Sequence, residues 1–177
     1  MFAGSPLRTA AAGVYLLLLA AACVFDLRAR RIPNKLVAVL GVSGLLFSVA
    51  SAPIFPGLAH GLLGALVGLA IWLPSYVVRL LGAGDVKLFA AAGAWLGPHA
   101  TVESAILAAL AGGVLALVWM LRLRGAQGTA ASLMAARIDP KSLFGARPSP
   151  GQRHHLPYSL AMTAGCVVGA WFPHLLF

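Results

Sequence analysis

The sequence predicts an all-α integral membrane protein: six transmembrane helices, polytopic, with both termini external. Three observations carry this. The 177 residues are 60% hydrophobic and only 10% charged, where a soluble domain carries about 25% charged residues. Mean hydropathy is +0.92. Apolar runs near the roughly 20 residues needed to cross a bilayer recur along the chain. The strand alternation of a membrane β-barrel is absent.

Taken in order, the first span covers residues 7–25 and ends against Asp26. A polar link follows, Leu27-Arg28-Ala29-Arg30-Arg31-Ile32-Pro33-Asn34-Lys35. Span two covers residues 36–52, and Pro53 and Pro56 mark a short turn. Span three covers residues 57–78, with Pro74 as a kink that neighbouring helices can accommodate. Arg79 closes it, and Gly82-Ala83-Gly84-Asp85-Val86-Lys87 comes next. Span four, residues 86–96, is short, so its start is expected to be irregular backbone. Gly97-Pro98-His99 turns the chain into span five, residues 101–121. A loop over 122–155 contains a candidate surface helix at 129–138 and a flexible linker at 147–152. Span six runs from 156 to the end, with Pro157 in its first turn, where proline costs least.

Basic residues orient the bundle. On this reading 12 of the 13 Lys and Arg fall on one side, and only Arg8 lies on the other. That side is cytoplasmic, and the loop 122–155 lies there. The net charge of +9 then reports topology and anionic headgroups rather than nucleic acid. Cys23 and Cys166 both fall in spans. With no CxxC and no metal-ligand cluster, neither a metal nor a cofactor is expected. The first span resembles a signal peptide, but its basic residues lie mainly after the run, so it reads as uncleaved. Small residues recur four apart, at Gly57/Gly61, Gly64/Gly68, Gly93/Gly97 and Gly165/Gly169, and read as close helix packing.

The chemistry rests on acids. The chain has four: Asp26, Asp85, Glu103 and Asp139. Asp26 ends span one and Asp85 begins span four, both at the cytoplasmic border. Taken singly, each could be an interface residue paired with a nearby base, Arg30 for Asp26 and Lys87 or Arg79 for Asp85. Taken together they offer more. Two carboxylates within hydrogen-bond range do not both ionise readily; one keeps a proton and the other can activate water. That is aspartic-peptidase chemistry, and it requires neither metal nor covalent intermediate. Gly82 and Gly84 would let the backbone unwind beside an extended peptide.

Here the motifs become specific. Gly82 to Lys87 resembles the GxGDxK motif of type IV prepilin peptidases, and Asp26-Leu27-Arg28 through Ile32-Pro33-Asn34 resembles that family's first-aspartate motif. Leu156-Pro157-Tyr158 is similar to the family's proline-aromatic start of its last span, although Ser159 and Leu160 depart from it. The resemblance covers nearly the whole chain. It implies a single membrane-embedded aspartic peptidase domain over residues 1–177, with Asp26 and Asp85 catalytic. The implied activity is removal of the short basic leader from type IV prepilins or pseudopilins at the inner membrane's cytoplasmic face. The implied partners are that substrate, the bilayer and components of a pilus or secretion assembly. Larger members also N-methylate the new terminus and carry zinc-binding cysteine pairs. This sequence lacks those pairs and resembles the short form of tight-adherence (Flp) pilus systems.

Arg28, Pro33 and Asn34, with Ile32, read as shaping the turn into span two and supporting Asp26. Lys87 reads either as holding Asp85 ionised or as reaching the interface. Lys87 or Arg28 could also receive the glutamate that pilins carry after the cut. Glu103 reads as a solvated or capping residue, Asp139 as a turn residue before Pro140, and His60, His174, His154 and His155 as interfacial or loop residues. Two other classes compete: a proton-coupled transporter using Asp26 and Asp85 as a relay, and an inactive secretion-system scaffold. A presenilin-like protease fits less well, because Arg28, Arg30 and Arg31 follow Asp26 too closely for it to lie near the bilayer centre.

Overall fold

The computed structural model describes residues 6–29, 32–78, 81–138 and 158–171. Among these, every regular element is an α-helix: α1 (Pro6–Ala29), α2 (Asn34–Ser51), α3 (Ile54–Val77), α4 (Ala83–Ile138) and α5 (Tyr158–Trp171). Prolines set several of the boundaries. Pro6 opens α1, a position where the missing N–H costs nothing. Pro33 is extended (φ −61, ψ 129), and its carbonyl accepts the Leu36 and Val37 amides at 3.0 and 3.3 Å. Pro53 does the same for Gly57 at 2.8 Å and so begins α3. Pro74 lies inside α3 and does not end it; the helix continues to Val77, and the Val78 amide reaches the Pro74 carbonyl at 3.1 Å.

Four helical stretches are long and apolar enough to span a membrane: Arg8–Ala29, Asn34–Ser51, Ile54–Val77 and Ala83–Val118. α5 is apolar but shorter. Large apolar side chains point outward along these helices, among them Leu17 (72% exposed), Leu46 (66%) and Phe55 (85%). Such a surface suits lipid and would be a liability in water. The chain is a multi-pass membrane protein.

Two compact units are present: residues 1–111 with 157–177, and residues 112–156. In the first unit α2 packs on α3, and α1 packs on both α2 and α5. The centre is aromatic. Trp95 of α4 meets Tyr15 of α1 at 5.4 Å and Phe47 of α2 at 5.2 Å between ring centroids. Its indole N–H donates to the Leu40 carbonyl at 2.8 Å. Trp72 of α3 packs edge-on against Phe89 of α4 at 5.8 Å. Trp95→Phe removes the indole hydrogen bond and leaves a void at a site 3% exposed. It is expected to cost about 1–4 kcal/mol, read as a lower denaturation midpoint in detergent.

Glycines set how closely the helices approach. Along α3, Gly57, Gly61, Gly64 and Gly68 are all buried. A Cβ at Gly64 would overlap the Gly93 carbonyl and lie 2.8 Å from the Gly97 Cα. A Cβ at Gly165 of α5 would lie 2.6 Å from the Ala108 amide and the Ser104 carbonyl of α4. These are backbone-to-backbone contacts, the use expected of small residues four apart. The Ser48 hydroxyl adds a bond to the Gly57 carbonyl at 2.7 Å. Cys23 and Thr163 join α1 to α5 through a 3.1 Å hydrogen bond.

Three expectations are corrected here. Span four was expected to start at 86 after irregular backbone; helix instead begins at Ala83 and includes Gly84. The helix expected at 129–138 is present, but the loop expected from Arg122 up to it is helical too, so that α4 runs unbroken to Ile138. That segment is rich in Ala, Leu, Met and Arg, all strong helix formers, and contains no proline before Pro140. Glu103 was expected to be a solvated or capping residue; it is not solvated, being 4% exposed, next to the buried Thr101 and Ser104. Within α4, Gly97 adopts φ +74 and is followed by Pro98. A Cβ there would overlap the His60 imidazole, so His60 is a packing residue of the α3–α4 contact. The readings of Asp139, His154, His155, His174, Pro157 and the linker 147–152 lie outside the described residues.

Candidate active site

Asp26 lies in the last turn of α1, three residues before its end at Ala29, and Asp85 is the third residue of α4. Both are half-buried. They are 59 positions apart in sequence, and the fold brings them together: Asp26 lies near enough for its charge to act directly on Asp85.

The local sequence explains how Asp85 is held. Gly82 precedes the first helical residue. Its carbonyl accepts the Asp85 and Val86 amides at 3.2 and 3.4 Å, which starts the helix. The Asp85 carboxylate reaches back and accepts the Gly82 N–H. This is the return half of a capping box, in which an acid at the third helical position satisfies an otherwise unpaired amide. A carboxylate at a helix N-terminus also meets the positive end of the helix dipole. Gly82 thus anchors Asp85 in place. A Cβ at Gly82 would sit 3.4 Å from Asp85 Oδ2, so the carboxylate folds directly over this glycine.

Gly84 serves differently from the expectation. It is helical, with no left-handed backbone, so the conformational freedom of glycine is not what it supplies. Its open face receives Ile32, whose Cβ, Cδ1 and Cγ1 lie 3.6–3.8 Å from where a Gly84 Cβ would stand. Ile32 is half-buried and packs on the core that includes Leu81 and Val86. Ile32 therefore lies against the first turn of α4, at the residue before Asp85.

The remaining expected site residues divide by exposure. Pro33 is half-buried and caps α2; Arg28, Asn34 and Lys87 are exposed. Residues two apart on a helix do not face each other, so Lys87 projects away from Asp85. The structure brings Asp26, Asp85, Gly82 and Gly84 together. It leaves Arg28, Asn34 and Lys87 at the surface of the same region. Two residues were undervalued in the sequence. Ile32 was read as shaping the turn into span two and supporting Asp26, but its seat on Gly84 was not foreseen. Glu103 carried no signal, because its burial depends on helices distant in sequence.

Chemically, the site offers two interacting carboxylates at helix ends, flanked by exposed positive charge. A pair of this kind can hold one proton between its members and bind a polarisable group or water at the other oxygens.

Comparison with known proteins places the chain. Residues 13–117, more than half its length, match the type IV leader peptidase family. That stretch contains Asp26, Asp85 and all the residues just described. The prepilin leader peptidase/N-methyltransferase of Pectobacterium carotovorum subsp. carotovorum is 37% identical over 103 residues, 54% of this chain and 36% of that protein. The like-named protein of Klebsiella pneumoniae is 40% identical over 115 residues, 61% of this chain and 49% of its own length. That of Burkholderia pseudomallei (strain K96243) is 34% identical over 133 residues, 70% of this chain and 42% of its own. The chain thus spans between a third and a half of the length of these relatives. No solved structure matches it. With the family match running through both aspartates and the helices that carry them, the chain belongs to the type IV leader peptidase family.

Proposed function

We propose that this chain is a membrane aspartic endopeptidase. It removes the short basic leader from type IV prepilins or pseudopilins at the cytoplasmic face of the inner membrane. The observation that carries the reading is the Asp26–Asp85 juxtaposition inside the segment that matches the leader peptidase family.

The proposed mechanism uses the pair as a unit. One aspartate is ionised and takes a proton from water as the oxygen attacks the scissile carbonyl carbon. The other is protonated and donates to the carbonyl oxygen. The tetrahedral intermediate collapses as the aspartate that took water's proton gives it to the leaving nitrogen, the other aspartate takes back a hydroxyl proton of the intermediate, and the C–N bond breaks. A new carboxyl end on the leader and a new amino end on the pilin result, and the pair returns to its shared-proton state. The capping bond from Gly82 keeps the Asp85 carboxylate in place throughout.

Six passes give this chemistry a side. The apolar stretch Ala83–Val118 has 36 residues, about 54 Å of helix at 1.5 Å per residue, against a bilayer core of about 30 Å. Gly97, with φ +74, and Pro98 lie within it. We take it as two passes, which with α1, α2, α3 and α5 makes six. Asp26 and Asp85 then share one face with 12 of the 13 Lys and Arg, the cytoplasmic one by the positive-inside rule. Both termini are external. Since leaders are themselves basic, the site recognises them through backbone and apolar helix rather than through bulk charge. Components of a pilus or secretion assembly are the natural further partners.

Co-expression with a prepilin carrying a short basic leader tests the reading. Leader loss is read as a gel shift and as a new amino terminus by mass spectrometry. Processing that depends on this chain is expected. Failure to process any prepilin encoded beside it would remove the peptidase reading in favour of a transporter or scaffold.

A further inference from the structure

We propose that Ile32 is a positioning residue for the aspartate pair. It acts as a spacer, seated on Gly84, that fixes the distance between the end of α1 and the start of α4. The proposal rests on the peptidase reading above and adds a residue whose role in it is mechanical.

Three observations carry it. Ile32 is six residues after Asp26 and directly precedes the Pro33 cap of α2, so it belongs to the segment that ties α1 to α2. Its side chain does not turn to lipid; it packs on the core. Its contact on α4 is Gly84, the residue before Asp85, with three side-chain carbons 3.6–3.8 Å from the Gly84 Cβ position. Leu81 and Val86, 8% and 3% exposed, are buried on either side of this contact.

The steric consequence is specific. The gap at Gly84 holds one methyl at ordinary contact distance and no more. Gly84→Ala fills it and leaves Ile32 in place. Gly84→Val adds a branched group that must displace Ile32. Ile32→Ala removes three carbons and lets the α4 start settle toward the α1–α2 link. Either change alters the spacing of Asp26 and Asp85 without touching a carboxylate. Because Gly84→Val adds three carbons and Ile32→Ala removes three, the double variant restores the volume between the two elements. Volume-conserving exchanges are the ones packed sites tolerate best.

The test has two arms. In the first, prepilin cleavage is followed with kcat and KM determined separately. Ile32→Ala and Gly84→Val are each expected to lower kcat about 10- to 100-fold, the scale of an ångström-level misplacement, with KM within about twofold. The double variant recovers most of the lost kcat. The second arm needs no peptidase activity. Spin labels at Ala29 and Ala83, both exposed, report the α1–α4 distance in a background with Cys23 and Cys166 replaced by serine. Ile32→Ala is expected to broaden or shift that distance, and the double variant to return it. An unchanged kcat in either single variant, additive loss in the double, or an Ile32→Ala distance with the wild-type mean and width overturns the proposal. If wild type cleaves no prepilin, the peptidase reading fails in the first arm; an unmoved distance in the second shows separately that Ile32 is no spacer.

Discussion

Asp26→Asn and Asp85→Asn are each expected to reduce leader cleavage by at least about 10²- to 10⁴-fold, the range attributed to one positioned acid or base. Asparagine keeps size and shape but cannot ionise or pass a proton, so the loss reports chemistry rather than packing. At Asp85 the amide oxygen can still accept the Gly82 N–H, so the start of α4 is retained and the variant should still insert and fold. The double variant should be little worse than either single one, because residues that act as a unit lose their effect once. Initial rates on a purified prepilin in detergent provide the measurement. A residual rate within tenfold of wild type in either variant would remove the aspartate-pair mechanism.

Gly64→Ala is expected to be among the most disruptive single-methyl changes in the protein. The added Cβ would run into the Gly93 carbonyl and the Gly97 backbone, and Gly93→Ala would run back into Gly64. No flexible side chain can yield there, because both sides of the contact are main chain. Ordinary overpacking costs about 1–3 kcal/mol; separation of α3 from α4 should bring the loss to the top of that range or beyond. The readout is the denaturation midpoint in mixed detergent. Gly13→Ala and Gly113→Ala serve as controls, since nothing lies within 4 Å of a Cβ at either position. Alanine is the better helix former, so these should be neutral or gain up to about 1 kcal/mol. Equal midpoints for Gly64→Ala and Gly13→Ala would show that the α3–α4 contact does not limit stability.

The two effects separate site from scaffold. The aspartate variants should leave the midpoint unchanged while abolishing cleavage. Gly64→Ala should lower the midpoint and carry activity down with it. Between them lies Ile32, where a change in packing acts on rate through the spacing of Asp26 and Asp85.

How much of this was legible in the sequence depends on the range of the interaction involved. Hydropathy is local, so the helices at 6–29, 34–51 and 54–77 lie within a few residues of the spans read from composition, and the proline boundaries were visible in advance. The two aspartate motifs are also local, and they sufficed to name the family and to single out Asp26 and Asp85. Helix faces were not legible. In a soluble helix the apolar stripe marks the buried side; in these helices the lipid side is apolar too, so periodicity does not say which side packs inward. That is why Glu103 was taken as a solvated or capping residue although the bundle buries it, and why Gly84 was credited with an unwound backbone when it is a helical seat for Ile32. The helix at 129–138 was legible, but its continuity with α4 from Arg122 was not, because charge suggested a loop there while alanine-rich propensity favoured helix. By itself, then, the sequence determined that the chain is helical, lies in a membrane and holds two acids at helix ends. The tertiary structure alone decided that Gly64 meets Gly93, that Ile32 meets Gly84 and that Asp26 lies within electrostatic reach of Asp85. Each of those pairings joins residues 29 to 59 positions apart, and in a bundle apolar on every side only backbone-level shape complementarity selects the close helix contacts.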